Sequence, residues 1–137
     1  MSNDEIAEGK FNTIYPVPDA YLLFLKAFAT EGHDRPSIEL EHNSTMAVET
    51  TAAMCPNTIV IVHGPGVVAM PWTENENVTA ILHTHYPGEE SGNSLVDILW
   101  GVSEPSGRLP YFIPKNESDY GPPIVNLTEP VTERDAW

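Results

Sequence analysis

The chain has 137 residues, with 6 Lys and Arg against 20 Asp and Glu, for a formal net charge of −14. That length fits one modest domain, or a piece of one, and is short for a two-domain enzyme. A surface so negative repels phosphate backbones and anionic lipid, which argues against nucleic acid and membrane as partners, and no apolar run approaches the length of a membrane-spanning helix.

Taken in chain order, residues 1–19 are polar and end in "YPVPD", whose two prolines predict an extended lead-in rather than a helix. "AYLLFLKAFA" then reads as a central strand, nearly continuous in apolar residues as when helices cover both faces of a sheet. "HNSTMAVETTAAM" predicts a helix capped by Asn43 or Ser44, with Met46, Ala47, Thr50, Ala53 and Met54 on its apolar face. "TIVIVHG", short, β-branched and bounded by turn residues, is the second strand. "PGVVAMPW" suggests a short helix ended by Pro71, and "NVTAILHTH" is a third strand of the same buried type. "GEESGNSLVDILWG" resumes the helical period, with Leu95, Ile98 and Leu99 on one face, acidic residues at the start and Gly101 at the C-terminal cap. "GRLPYFIPK" predicts an edge strand. Alternating strands and helices in this order make a mostly parallel sheet flanked by helices, so the fold class is α/β. The ordered domain is expected over 20–121, with a polar tail over 122–137.

The start, "MSNDEIAEGKFN", has no basic patch followed by an apolar stretch and so does not read as a signal peptide. Four N-glycosylation sequons, at Asn43, Asn77, Asn116 and Asn126, point instead to a secretory history. The single cysteine, Cys55, allows no internal disulfide.

Several ordered stretches carry a family pattern: "FLKAFATEGHDR", "NTIVIVHGPGVV", "PWTENENVTAIL", "PGEESGNSLVDILWG" and "PSGRLPYFIPKNESDYG". From about Ala20 to about Gly121 the chain resembles the C-terminal α/β-sandwich domain of glycoside hydrolase family 3, the fungal secreted β-glucosidases in particular. The resemblance implies a parent enzyme that hydrolyses terminal non-reducing β-D-glucosyl residues with retention. In such enzymes a barrel-like N-terminal domain supplies an aspartate nucleophile and this second domain lends a loop with the acid/base glutamate, in the form Gly-Glu-Gly-x-Asp-Arg. Here the loop stands as Thr30-Glu31-Gly32-His33-Asp34-Arg35, which puts the acid/base role on Glu31 and substrate binding or loop shaping on Asp34 and Arg35. Thr30 in place of glycine, Glu89 in place of glutamine and His83-Thr84-His85 in place of Trp, Ala and Gly depart from the pattern.

Retaining hydrolysis takes two carboxyl groups about 5 Å apart, one as acid/base and one as nucleophile. The expectation is therefore a partial β-glucosidase that is inactive alone and secreted, its partners the missing N-terminal barrel and, in the parent, a β-glucoside or oligosaccharide. The alternative is a non-catalytic α/β binding or interaction module that kept the fold and lost the chemistry. No cofactor or metal is expected. His63, His83 and His85 end the two middle strands, but without a helical His pair or a Cys cluster they read as packing residues. Asp34 and Arg35 read as an ion pair, and Trp72, Trp100, Tyr111 and Phe112 as packing residues.

Overall fold

A computed structural model of the chain describes residues 2–10, 16 and 18–121. The expected tail, 122–137, and the sequon at Asn126 lie outside the described residues. Among those described, three parallel strands form one sheet in the order β1 (Tyr21–Lys26), β2 (Thr58–His63), β3 (Val78–His85). Helices α1 (Asn3–Ala7), α2 (Ser44–Met54) and α3 (Ser91–Leu99) accompany it. The α/β class and the three middle strands agree with the sequence pattern.

Register explains the core. Leu23 pairs with Val60 and that with Ile81, while Leu25 pairs with Val62 and that with His83. Because side chains alternate along a strand, these residues share one face. Leu23, Leu25, Val60 and Val62 bury themselves there against Ala47 and Val48 of α2 and against Val68, Met70 and Trp72 of the β2–β3 connection. The opposite face is covered unevenly: Ile61 is fully buried, yet Leu22 and Phe24 are 43% and 49% exposed. The run "YLLFL" therefore belongs to an edge strand with one packed face, and not to a strand covered on both sides.

Several local expectations are corrected. The buried side of α2 is Ser44, Ala47, Val48, Thr51 and Ala52, whereas Met46 and Met54 point to solvent. Nearly every residue of this helix is small or apolar, so periodicity offers little contrast, and the small side chains face the sheet because they permit close approach. Neither expected cap operates: Asn43 is left-handed (φ 49°) with no side-chain cap bond, and the Ser44 hydroxyl donates back to the Glu41 carbonyl. The Asn43 amide donates to Asp4 Oδ1 of α1 at 3.0 Å.

Helix α1 itself falls within the stretch expected to be extended. Its signal was the Ser2…Glu5 spacing of a capping box: Ser2 Oγ accepts from the Glu5 amide and the Glu5 carboxylate accepts from the Ser2 amide at 2.8 Å. Ile6 and Ala7 pack onto the core, and Asn3 Nδ2 donates to Ser44 Oγ at 3.3 Å.

No helix forms over "PGVVAMPW". Its amides bond to distant segments instead, Ala69 N–H to the Ile38 carbonyl and Met70 N–H to the Pro114 carbonyl, both at 2.9 Å. Residues 107–115 form no strand, since Pro110 and Pro114 remove donors that a ladder needs. Helix α3 follows a 3-10 turn (Gly88–Glu90) and buries Leu95, with Ile98 and Leu99 half-buried on the same side. It ends in a Schellman motif: Gly101 at φ 72°, its N–H to the Ile98 carbonyl and the Val102 N–H to the Asp97 carbonyl.

Leu25→Ala is expected to lower unfolding stability by about 2–5 kcal/mol, and Met46→Ala to stay within about 0.5 kcal/mol, in urea titrations followed by circular dichroism. Equal losses would contradict this assignment of the α2 face.

Candidate functional site

The carboxyl ends of β1, β2 and β3 lie side by side, and loops leaving that edge are where open α/β sheets place ligands. The ladder continues past the strands: the Ala27 amide donates to the His63 carbonyl at 3.0 Å and the Gly64 amide to the His85 carbonyl at 3.1 Å. The chain then turns sharply, with Thr30 bridged antiparallel to His33 and Gly32 at φ 83°, a conformation in which any Cβ would be strained. Glu31 is thereby set at the tip of a tight turn. Its side chain is exposed, and among the described residues it makes no hydrogen bond or ion pair.

The base of this turn is clamped. The Phe28 amide donates to Glu41 Oε1 at 2.8 Å, and half-buried Arg35 donates to the Val67 carbonyl at 2.8 Å and the Glu39 carbonyl at 3.2 Å. Two carbonyls from separate segments suit the fixed fork of a guanidinium. The expected ion pair between Asp34 and Arg35 does not form. Ion pairs among the described residues join Lys10 to Glu8, Lys115 to Glu74, and His42 to Asp4 and Glu41, while Asp34 stays exposed to solvent.

The three strand-end histidines separate into two environments. His63 stacks on Phe24 with ring centroids 6.3 Å apart. His83 and His85 lie 4.3 Å apart, both edge-on to Tyr111, at the end of a cleft of about 750 Å³ between β3, α3 and residues 103–113. Burial first, then the neighbouring His85, holds the His83 imidazolium below its ordinary value of 6.5, against the opposing hydrogen bond to the Gly66 carbonyl. Among the described residues no three His, Cys, Asp or Glu side chains come together as a metal-ligand group.

Trp72 is buried as expected, but Trp100 is 74% exposed and Phe112 packs on Tyr120 while remaining largely in solvent. Sequence reasoning missed the Arg35 clamp, whose acceptors lie 4 and 32 residues away and are backbone atoms that leave no signature in side-chain identity.

A three-stranded parallel sheet with flanking helices, carrying Glu31 on a pinned turn beyond its carboxyl edge, defines an α/β domain. The chain belongs to a glycoside hydrolase family: the model of the glycosyl hydrolase family 3 C-terminal domain matches residues 6–135. A probable β-glucosidase G from Aspergillus flavus is 45% identical over all of this chain, and one from Emericella nidulans is 50% identical over 88% of it. The chain spans only 17% and 14% of their respective lengths. Among solved structures, β-glucosidase from Chaetomella raphigera superposes with a TM-score of 0.75 at 33% identity, and β-D-glucoside glucohydrolase from Trichoderma reesei with 0.74 at 32%. Each comparison covers 90% of this chain and 18% of the other.

Arg35→Ala is expected to accelerate hydrogen exchange over residues 65–69 and to lower stability by about 1–3 kcal/mol, because the part-buried Val67 carbonyl and the exposed Glu39 carbonyl lose a charged donor. Asp34→Ala should leave both unchanged; comparable effects from the two would mean that the clamp is not Arg35.

Proposed function

We propose that this chain is the acid/base-bearing portion of a family 3 β-glucosidase, with Glu31 as the proton donor and general base. The observation that carries the reading is Glu31 at the tip of a pinned turn beyond β1, in a chain matched end to end by probable β-glucosidases. In retaining hydrolysis Glu31 would protonate the glycosidic oxygen as the bond to the anomeric carbon breaks, then take a proton from the water that releases the sugar. The nucleophilic carboxylate would come from outside these 137 residues, from the barrel-like domain that the family resemblance implies. Arg35 shapes the loop in this reading, which its two carbonyl bonds support, and Asp34, exposed and in no ion pair among the described residues, is the residue available to a sugar hydroxyl.

By itself the chain is then inactive, since one carboxylate cannot both attack and protonate. Release of aryl alcohol from an aryl β-glucoside should not exceed that of a Glu31→Ala control, and clear excess would refute the division of roles. The role of Glu31 is tested by substituting the chain for the matching segment of a full-length relative. There Glu31→Ala should cut kcat/KM, which reports the step that expels the leaving group, about 10²–10⁴-fold on an alkyl glucoside, whose leaving group needs a proton. The loss should be far smaller on a nitrophenyl glucoside, which leaves without one. Equal losses on both substrates would remove Glu31 from proton transfer.

The proposal extends to secretion, supported by the sequons. Asn116 is exposed at the start of the 3-10 turn Glu117–Tyr120, where its backbone amide donates to Asp119 Oδ2 at 2.9 Å and its side-chain amide donates no hydrogen bond among the described residues. Asn77 Nδ2 instead donates to the Ala52 carbonyl at 2.9 Å in a part-buried setting. Peptide mapping of material from a secreting host should find glycan at Asn116; occupancy of Asn77 in folded protein would contradict that setting.

A further inference from the structure

We propose that His83, His85 and Tyr111 form an acid-sensitive latch that holds the segment around residues 103–113 against the end of β3. Three geometric facts carry it. The two imidazoles lie 4.3 Å apart because the register between β2 and β3 shifts at the end of the ladder: Val62 pairs with His83 and His63 with His85, with Thr84 unpaired between them. His85 adopts φ 55°, a left-handed conformation that costs a non-glycine residue energy and that its surroundings must hold in place. The Tyr111 hydroxyl lies 3.3 Å from His85 Nε2, and its ring meets both imidazoles edge-on.

The proton balance follows from His83. Its Nε2 faces the Gly66 carbonyl at 3.0 Å, so that nitrogen carries the hydrogen and Nδ1 is the site a second proton must take. Nδ1 is buried and has no hydrogen-bond partner among the described residues. A proton there would create a buried donor without an acceptor beside a second imidazole. Protonation of His83 therefore requires the pair to part so that water reaches Nδ1, and parting moves the residue that Tyr111 holds.

Other charged groups lining the same cleft are Asp97 of α3 and Glu104 and Arg108 of the following segment. Their signs oppose one another, and the direction is set by burial and by His85. The closed state binds fewer protons at His83 than the open one, so closure is fully favoured above the ordinary histidine value of 6.5 and weakens as pH falls through the lowered midpoint.

Imidazole and tyrosine-ring NMR on the 137-residue chain between pH 4 and 8 tests this, with histidine in a short blocked peptide as the reference. His83 should titrate below that reference, and the Tyr111 ring signals should shift at the His83 midpoint. Exchange of the amides over 109–113, corrected for intrinsic pH dependence, should rise by up to about tenfold for each pH unit between the reference value and the His83 midpoint and level off below it. Tyr111→Phe should raise that exchange already at neutral pH and bring the His83 midpoint toward the reference. The latch is overturned if His83 titrates with the reference peptide, or if Tyr111 stays silent through the His83 midpoint. It is equally overturned if the core signals of Trp72 move in the same transition, which would be acid unfolding of the whole fold.

Discussion

The pairing of β2 on both edges is the constraint on which the other features rest. Val60, Ile61 and Val62 are each 0% exposed, two facing α2 and the β2–β3 connection and one facing the opposite side. Thr58 locks the entry to the strand, its amide bonded to the Asn77 carbonyl and its hydroxyl to the Cys55 carbonyl. At the exit, the same ladder runs on into Ala27 and Gly64, so the loop that bears Glu31 and the connection that follows β2 leave from fixed points. A parallel ladder is well suited to this, because all its carboxyl ends emerge at one edge.

The sheet's two faces are unequal, and that inequality governs what the neighbouring elements do. One face is sealed by small residues of α2 and by an irregular segment, Val68–Met70, whose amides bond across the fold and not to each other. Irregular backbone is buried there with the Ala69 and Met70 amides satisfied by distant carbonyls, those of Ile38 and Pro114. The same bonds tie the segment after α3 back to the core, so residues 103–113 are anchored near Pro114 and, through Tyr111, at the end of β3. Between the two anchors and α3 the cleft opens.

The parts that were legible in the sequence are those fixed by local chemistry. "TIVIVH" and "NVTAILHTH" declare themselves by β-branched runs between turn residues, and α3 by its amphipathic period and Gly101. Position Glu31 was legible through the family motif that brackets it. Where the sequence misled, the deciding interactions are long-range. The face of α2 follows from what the sheet accepts, and the non-helical course of "PGVVAMPW" from partners 31 and 44 residues distant. The missing strand at residues 107–115 reflects prolines that a neighbouring ladder does not accommodate. Arg35 misled for a different reason: beside Asp34 it looks like half of an ion pair, whereas its planar fork is better satisfied by two fixed carbonyls than by one mobile, hydrated carboxylate.

The turn at Glu31 separates the placing of a side chain from the electrostatic surroundings it is given. The Thr30–His33 bridge, the left-handed Gly32 and the Arg35 clamp remove most of the backbone freedom that would otherwise scatter the carboxylate, and freedom removed in advance is not lost again when substrate binds. What the turn does not supply is a low-dielectric wall or a hydrogen-bond partner for the carboxylate itself. Position and electrostatic tuning are thus separable contributions, and the sheet, the Thr30–His33 bridge and the Arg35 clamp provide the first among the described residues without providing the second.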